Sequence, residues 1–312
     1  MTRRQDLEHH RHNLGEIREI MNSMKTLAYF EIHKLSRFLN AQYAVVRSIE
    51  DVAADFLSFH PEAIPQVDET IRVYILIGTE RGFCGDFNQS LVRQLESAQE
   101  THAVGKTFLI AVGRKLHTLI ENDPWVAVMI PGAGVMEEVT VVLDQMVQAL
   151  SSLQEQHGML TVYGLYHGGT DGIVMKKLLP SFQQYLHRPP RFPHPPELNL
   201  TPTEFFLELT EQYLFAALHE MLYTSLMAEN HNRVAHLEGA VKHLDDKSKE
   251  LARQCNALRQ EEIIEEIEVI LLSASSIDED WHQRKSLRTK DSVKGKQSDS
   301  GSINPKKACP DF

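Results

Sequence analysis

The stretch LEGAVKHLDDKSKELARQCNAL, residues 237–258, decides the architecture: Leu237, Val241, Leu244, Ser248, Leu251, Cys255 and Leu258 fall on a strict 4-3-4-3 spacing. A 3.5-residue repeat of apolar and small side chains is the seam of a helix that pairs with another and winds left-handedly around it. Upstream, Thr201-Pro202-Thr203-Glu204 reads as a helix start, with a capping threonine, proline in the first turn and glutamate three residues after the threonine. From there to the serine cluster Ser273–Ser276 the only glycine is Gly239. The spacing predicts one helix over 203–277, about 100 Å long at the rise of an α-helix.

The other end of the chain offers a mate. From Asp6 to Phe59 there is no proline, and Gly15 is the only glycine. Leu14, Ile17, Met21, Met24, Ala28, Leu35 and Phe38 recur in steps of three and four, with one polar interruption at Glu31. Residues 1–60 are therefore expected to form a second helix, on the order of 80 Å long, with Met21 in its seam. Paired, the two ends make a long antiparallel coiled coil; two separate helices in an ordinary bundle remain the alternative that the pattern leaves open.

Between the helices the period changes. IRVYILIG (71–78), TFLIAVG (107–113), VAVMI (126–130) and LTVYGLY (160–166) are short β-branched runs, and helical stretches near 87–100, 114–121 and 136–157 alternate with them. Alternation of this kind predicts an α/β domain over 70–187, built on a mainly parallel sheet with helices on its faces. RPPRFPHPP (188–196) is a proline-rich connector, spanning 188–202, back to the second helix. No internal repeat is present.

At 312 residues, with 42% apolar and 24% charged residues, the composition is that of a globular protein. No run reaches the eighteen or so apolar residues of a membrane span. The start, MTRRQDLEHHRH, is too acidic and polar for a signal or transit peptide. Cys84, Cys255 and Cys309 are odd in number and widely spaced, which indicates neither a disulfide framework nor a zinc site and suits a reducing compartment. The net charge is −11; from Arg284 onward eight Lys/Arg face three Asp, net +5, which leaves −16 for the rest. So acidic a body argues against nucleic acid as the main partner. The segment 278–312 is polar and basic and is expected to be a disordered tail.

Fragments that imitate active sites lack essential parts. Gly105-Lys106-Thr107 resembles the end of a phosphate loop, but Glu100 stands where its first glycine is required, and the triplet leads into a strand rather than a helix. His219-Glu220 opens a zinc-protease motif that Tyr223 breaks. Gly168–Gly172 reads as a turn. His9, His10 and His12 cannot face one ion from one helix start. The segment IGTERGFCGDFN (77–88) is different: it follows the first strand at its carboxyl end, where open α/β sheets place ligands, yet its glycines 78, 82 and 85 lack the dinucleotide-binding order. Alone it is weak evidence for a nucleotide; the structural alternative is a tight strand-to-helix turn, in which glycines supply positive φ and close packing.

That same segment resembles the signature of the gamma subunit of F-type ATP synthases: an acidic residue, Arg-Gly, an apolar residue, Cys-Gly and then Asn, here Glu80, Arg81, Gly82, Phe83, Cys84, Gly85 and Asn88. Glu229, Arg233, Ala240, Asn256, Arg259, Gln260, Ile263 and Glu266 match the family's last helix, and IMNSMKTLA (20–28) its first. The resemblance covers residues 1 to about 277. It implies a Rossmann-like middle domain and a rotating central shaft, whose coiled coil stands inside a ring of alpha and beta subunits. It also implies an epsilon subunit and a membrane c-ring as further partners, a place at the cytoplasmic face of a bacterial membrane, no cofactor or metal, and catalysis that belongs to beta.

By matching positions, Arg259 and Gln260 would meet a beta-subunit loop as a torque catch, and Met24 and Lys25 would lie near beta's acidic lever. Arg81, Gly82, Cys84, Gly85 and Asn88 would be structural. Departures from the usual pattern, among them Tyr29-Phe30-Glu31 in place of Ala-Ser-Lys and Asp86 in place of a glycine, suggest an alternate bacterial lineage, some of whose members pump sodium. A nucleotide-binding α/β enzyme and a coiled-coil scaffold are the rival readings.

Overall fold

A computed structural model of the chain describes residues 3–65, 71–101, 105–169, 172–186 and 188–294, with side chains described to residue 275 except at 99–101. The elements in order are α1 (Arg3–Leu57), β1 (Ile71–Ile77), α2 (Phe87–Thr101), β2 (Lys106–Val112), α3 (Arg114–Ile120), β3 (Val126–Ile130), α4 (Val139–His157), β4 (Thr161–His167), β5 (Ile173–Leu179) and α5 (Pro202–Lys294). Residues 16–245 form one compact unit, and residues up to 15 with those from 246 on form another.

In the larger unit the sheet order is β3-β2-β1-β4-β5. β1 pairs in parallel with β2 and β4, β2 in parallel with β3, and β5 closes the edge antiparallel to β4. The antiparallel β5 follows from a short hairpin, in which the Gly168 N–H donates to the Gly172 carbonyl at 2.7 Å; a two-strand return of that length cannot make a parallel crossover. One face of the sheet, with Val73, Ile75, Ile77, Ile110 and Val162, packs on α4 and on the helix pair; the other, with Tyr74, Leu76, Leu109 and Leu165, packs on α2 and α3. Burial on both faces is why the central strands are unbroken apolar runs rather than alternating ones. Gly164 in β4 lets α5 approach: a Cβ there would lie 2.0 Å from the terminal methyl of the fully buried Met221.

α1 and α5 run antiparallel in this unit, and their ties step down one helix as they climb the other: Arg18 Nε to Asp245 Oδ1 (2.5 Å), Tyr29 Oη to Glu238 Oε1 (2.9 Å) and Tyr43 Oη to Thr224 Oγ1 (3.0 Å). On α5 Leu237 and Val241 are buried and Leu244 half-buried. The seam of α1 differs from the expected one. Its inward positions are 18, 21, 25, 28, 32, 35, 39, 42, 46, 49, 53 and 56, alternating three and four, all buried or half-buried. Ile17 (43% exposed) and Phe38 (50% exposed) lie outside it. Met21, Ala28 and Leu35 belong to both sets, so an apolar count alone could not tell the two alternations apart. The structure places Arg18, Lys25 and Gln42 at inward positions and leaves some of the larger apolar side chains outside; polar seam positions of this kind fix register at a cost in stability.

In the smaller unit Leu251 and Cys255 are buried and Leu258 half-buried on α5, and Arg4 Nε bonds Glu262 Oε2 at 2.8 Å. α5 does not stop at Ser273–Ser276 as the sequence pattern predicts but continues to Lys294. Serine costs a helix little, and Ser273 and Ser275 turn their hydroxyls onto the carbonyls of Ile270 and Leu272. Neither glycine nor proline intervenes before Gly295. The last part of the expected tail, 295–312, lies outside the described residues. At its start α5 has the cap the sequence announces: the Glu204 N–H donates to Thr201 Oγ1, and Glu204 Oε2 accepts the Thr201 N–H.

Replacing Gly164 by valine should force Met221 and α5 off the sheet and cost about 1–3 kcal/mol. Denaturant unfolding of the purified chain measures this, and adding Met221→Ala should recover part of the loss.

Candidate functional site

The segment after β1 occupies the position where α/β sheets hold ligands, but here α5 takes that place. Ser225 Oγ donates to the Ile77 carbonyl (3.2 Å), at the carboxyl end of β1 beside the β1–β4 crevice. One helical turn on, Glu229 and Arg233 form a buried ion pair. Arg233 Nε also donates to the Gly82 carbonyl (3.2 Å) and Nη1 to Asn230 Oδ1 (2.8 Å). Glu229 accepts backbone hydrogen bonds from Glu80 and Arg81. A carboxylate and a guanidinium four residues apart on one helix face thus grip the N–H and C=O groups of a single turn.

Asn88, from the first turn of α2, closes the same turn from inside: its Oδ1 accepts the Thr79 N–H (3.0 Å) and its Nδ2 donates to Thr79 Oγ1 (2.9 Å). Phe83 and Gly85 both have positive φ, 66° and 65°. For phenylalanine that conformation costs roughly 1–3 kcal/mol and persists where the surroundings over-determine it; the grip of Glu229, Arg233 and Asn88 supplies that determination. Arg81 lies across Gly134, where an added Cβ would sit 2.7 Å from its Nε. Cys84 is buried, its thiol donating to the Gly82 carbonyl at 3.4 Å, and burial pushes its pKa up to about 12. It stays a protonated, inert thiol near neutral pH.

Burial raises the Glu229 carboxyl above its ordinary range, while Arg233 and the two backbone N–H groups pull it back down. His167, at the end of β4, packs on Phe87 with ring centroids 3.7 Å apart, and its Nε2 donates to the Phe87 carbonyl at 3.0 Å. Burial lowers its pKa below the ordinary 6.5. His219 and Tyr223, from the broken zinc motif, stack at 5.1 Å. Among the described residues no group of three metal-binding side chains occurs, and no helix is long and apolar enough to cross a membrane.

Of the anticipated contact residues, Met24 and Lys25 are half-buried on α1; Met24 lines a cavity of about 240 Å³ with Leu27, Phe30, Arg81 and Val135. Arg259 and Gln260 are exposed on the part of α5 in the smaller unit. Sequence reasoning names Glu229 and Arg233 as matching positions but gives them no task. The available signal is that Glu229 is the first charge after Glu220 on an otherwise uncharged, buried stretch of helix.

The fold, an α/β domain set on an antiparallel helix pair, is similar to that of solved chains from mitochondrial ATP synthases. It matches a chain in the cryo-EM structure of the Euglena gracilis mitochondrial ATP synthase, OSCP/F1/c-ring, with a TM-score of 0.61 at 16% identity, covering 88% of this chain and 94% of that one. A chain in the Tetrahymena thermophila mitochondrial ATP synthase central stalk/c-ring structure gives 0.52 at 16% identity, over 71% and 99%. The ATP synthase gamma chain of Clostridium botulinum (strain Langeland) is 22% identical over 85% of this chain and 94% of that protein. That of Desulfitobacterium hafniense is 23% identical over 89% and 100%. The ATP synthase family model matches residues 3–277, and the chain belongs to that family as a gamma subunit, a non-catalytic subunit of the F-type complex.

Replacing Arg233 by methionine leaves Glu229 buried without its partner and should cost about 3–5 kcal/mol. Unfolding of the Arg233→Met chain against wild type checks it. A second expectation concerns pH. Because His167 binds its proton less readily folded than unfolded, its contribution is present above the unfolded value of about 6.5 and is lost as pH falls toward the lowered folded value. Wild type should therefore lose more stability between pH 7.5 and 5.5 than His167→Gln, as read from melting temperatures; parallel curves would contradict the assignment.

Proposed function

We propose that this chain is the central rotor shaft of an F-type ATP synthase, turning with a membrane c-ring inside an alpha–beta hexamer and driving the beta sites through their catalytic cycle. The observation that carries the reading is the clamp: Glu229 and Arg233 fix the signature turn of the α/β domain to α5, so twist applied to the domain is delivered to the helix that continues to Lys294. Family membership over residues 3–277 supports it independently. Catalysis rests with the partners, this chain supplying no reacting group. An epsilon subunit and the cytoplasmic face of a bacterial membrane complete the assignment.

A shaft of this kind acts by presenting different faces to three otherwise identical beta subunits, and so favouring a different state in each. Arg259 and Gln260, exposed on α5, are assigned as the catch against a beta loop, and Met24 and Lys25 as the contact to beta's acidic lever. The domain division proposed with this reading is an N-terminal helix to residue 60, the α/β domain over 70–187, the connector over 188–202 and the C-terminal coiled-coil helix from 203, whose expected end at 277 moves to Lys294.

Reconstitution tests the reading. Mixed with its alpha and beta subunits, the chain should yield a particle of three alpha, three beta and one copy of itself, with cooperative ATP hydrolysis lost when it is omitted. Absence of assembly, together with ATP binding by the chain alone, would favour the nucleotide-binding enzyme instead. In the assembled particle the double replacement Arg259→Ala and Gln260→Ala should leave assembly intact and reduce turnover severalfold, on the order of 1–2 kcal/mol in the activation barrier; normal turnover would remove the catch role.

A further inference from the structure

Glu31 interrupts the apolar spacing of α1, and its surroundings show what the interruption does. Its side chain is 12% exposed, with Oε2 accepting the Met136 N–H at 3.2 Å and Oε1 bonding Lys34 Nζ at 3.1 Å. Lys34 in turn reaches Glu137 Oε1 at 3.0 Å. Both contacts fall on the loop between β3 and α4. Near its other end, Glu80 of the signature turn accepts the Gly132 N–H at 2.7 Å and the Arg114 N–H at 3.1 Å. Between them Glu138 accepts the Gly134 N–H at 2.7 Å.

Three alternate N–H groups of one loop, those of Gly132, Gly134 and Met136, are thus taken by three carboxylates: one from the signature turn, one from the loop's own end and one from α1. Hydrogen bonds to charged acceptors are about twice as strong as neutral ones. The contacts close a ring. α1 holds the loop through Glu31, the loop meets the signature turn through Glu80, the turn is clamped to α5 by Arg233, and α5 returns to α1 through Glu238 and Tyr29, two residues from Glu31. A ring of this kind resists rotation of the α/β domain about the helix pair, where single apolar contacts would slide.

We infer that Glu31 is a positioning residue for torque transfer: it straps the β3–α4 loop to α1, adding a directional tie to the apolar contacts through which the α/β domain already meets that helix. The inference rests on the rotor reading and adds to it a residue outside the beta contacts.

The test uses the full complex in vesicles with its membrane sector, and the same alpha–beta particle without that sector. Glu31→Ala should leave hydrolysis by the unloaded particle close to wild type and lower the ions moved per ATP by about twofold or more. Glu31→Gln, whose amide oxygen still accepts the Met136 N–H, should restore most of the ratio. Hydrogen exchange at Met136 in the full chain should quicken about tenfold in Glu31→Ala and much less in Glu31→Gln.

An unchanged ion-to-ATP ratio in Glu31→Ala, or exchange at Met136 that does not respond, overturns the inference. Should Glu31→Ala fail to fold, Lys34→Ala at a side chain 46% exposed takes its place, removing the tie to Glu137; it should quicken exchange over 132–138, and no change there overturns the inference equally. Failure of the wild-type chain to assemble with alpha and beta would be a failure of the rotor reading instead, and is distinguished by that control.

Discussion

α5 has two obligations in the larger unit, and the rest of the structure there follows from meeting both. One side of it is a coiled-coil partner of α1; another is a layer of the α/β sandwich, with Met221 pressed on Gly164 and Leu222 and Leu226 in the same core. A helix that belongs to two cores must be continuous and apolar over a wide arc. That is why Tyr213–Glu229 carries long uncharged stretches and why the charges it does bury are paired. Glu229 with Arg233 is the point where the two obligations meet, since the pair sits on the coil helix and bonds the backbone of the sheet's first turn.

Polar contacts hold the domain to the shaft at more than one level. Lys176 on β5 lies 3.3 Å from Glu220 of α5 and 3.9 Å from Glu50 of α1, with the Tyr213 ring beneath it at 5.7 Å. Burial raises the Glu220 carboxyl and Lys176 lowers it again. Such partly buried charges contribute modestly to stability compared with apolar packing. Their directionality is what matters mechanically: packed methyl groups can slip past one another, whereas a carboxylate bonded to a particular N–H loses its bond when displaced by little more than an ångström.

The coil helices and the strands were legible because their periods differ, 3.5 against a buried run, and because proline keeps to the boundaries while glycine enters the two long helices only at Gly15 and Gly239. α5 was legible in its seam, Leu237 to Leu258, where each leucine, Val241 and Cys255 are buried or half-buried. α1 was legible only as a helix. Its apolar residues satisfy two alternations that share Met21, Ala28 and Leu35, and the structure takes the one that puts Arg18, Lys25 and Gln42 inward. Periodicity cannot see that preference, because it depends on which partner atoms wait across the seam, such as Asp245 for Arg18 and the Ala216 carbonyl for Gln42. The end of α5 was misplaced for a related reason: serines suggest a stop, but only glycine or proline compels one.

By itself the sequence determined a helix at each end, a mainly parallel α/β domain between them, the capping box at Thr201 and, through the segment 77–88, the family. These are local or short-range properties, set by spacing, backbone freedom and side-chain chemistry within a few residues. Only the tertiary structure decided that the signature turn is held by residues 150 positions away, that Glu31 faces a loop instead of marring a seam, and that the crevice at the carboxyl end of β1 is filled by α5. Each depends on which buried donor finds which acceptor once the chain has closed on itself, and that pairing is a property of three-dimensional neighbours that no spacing along the chain encodes.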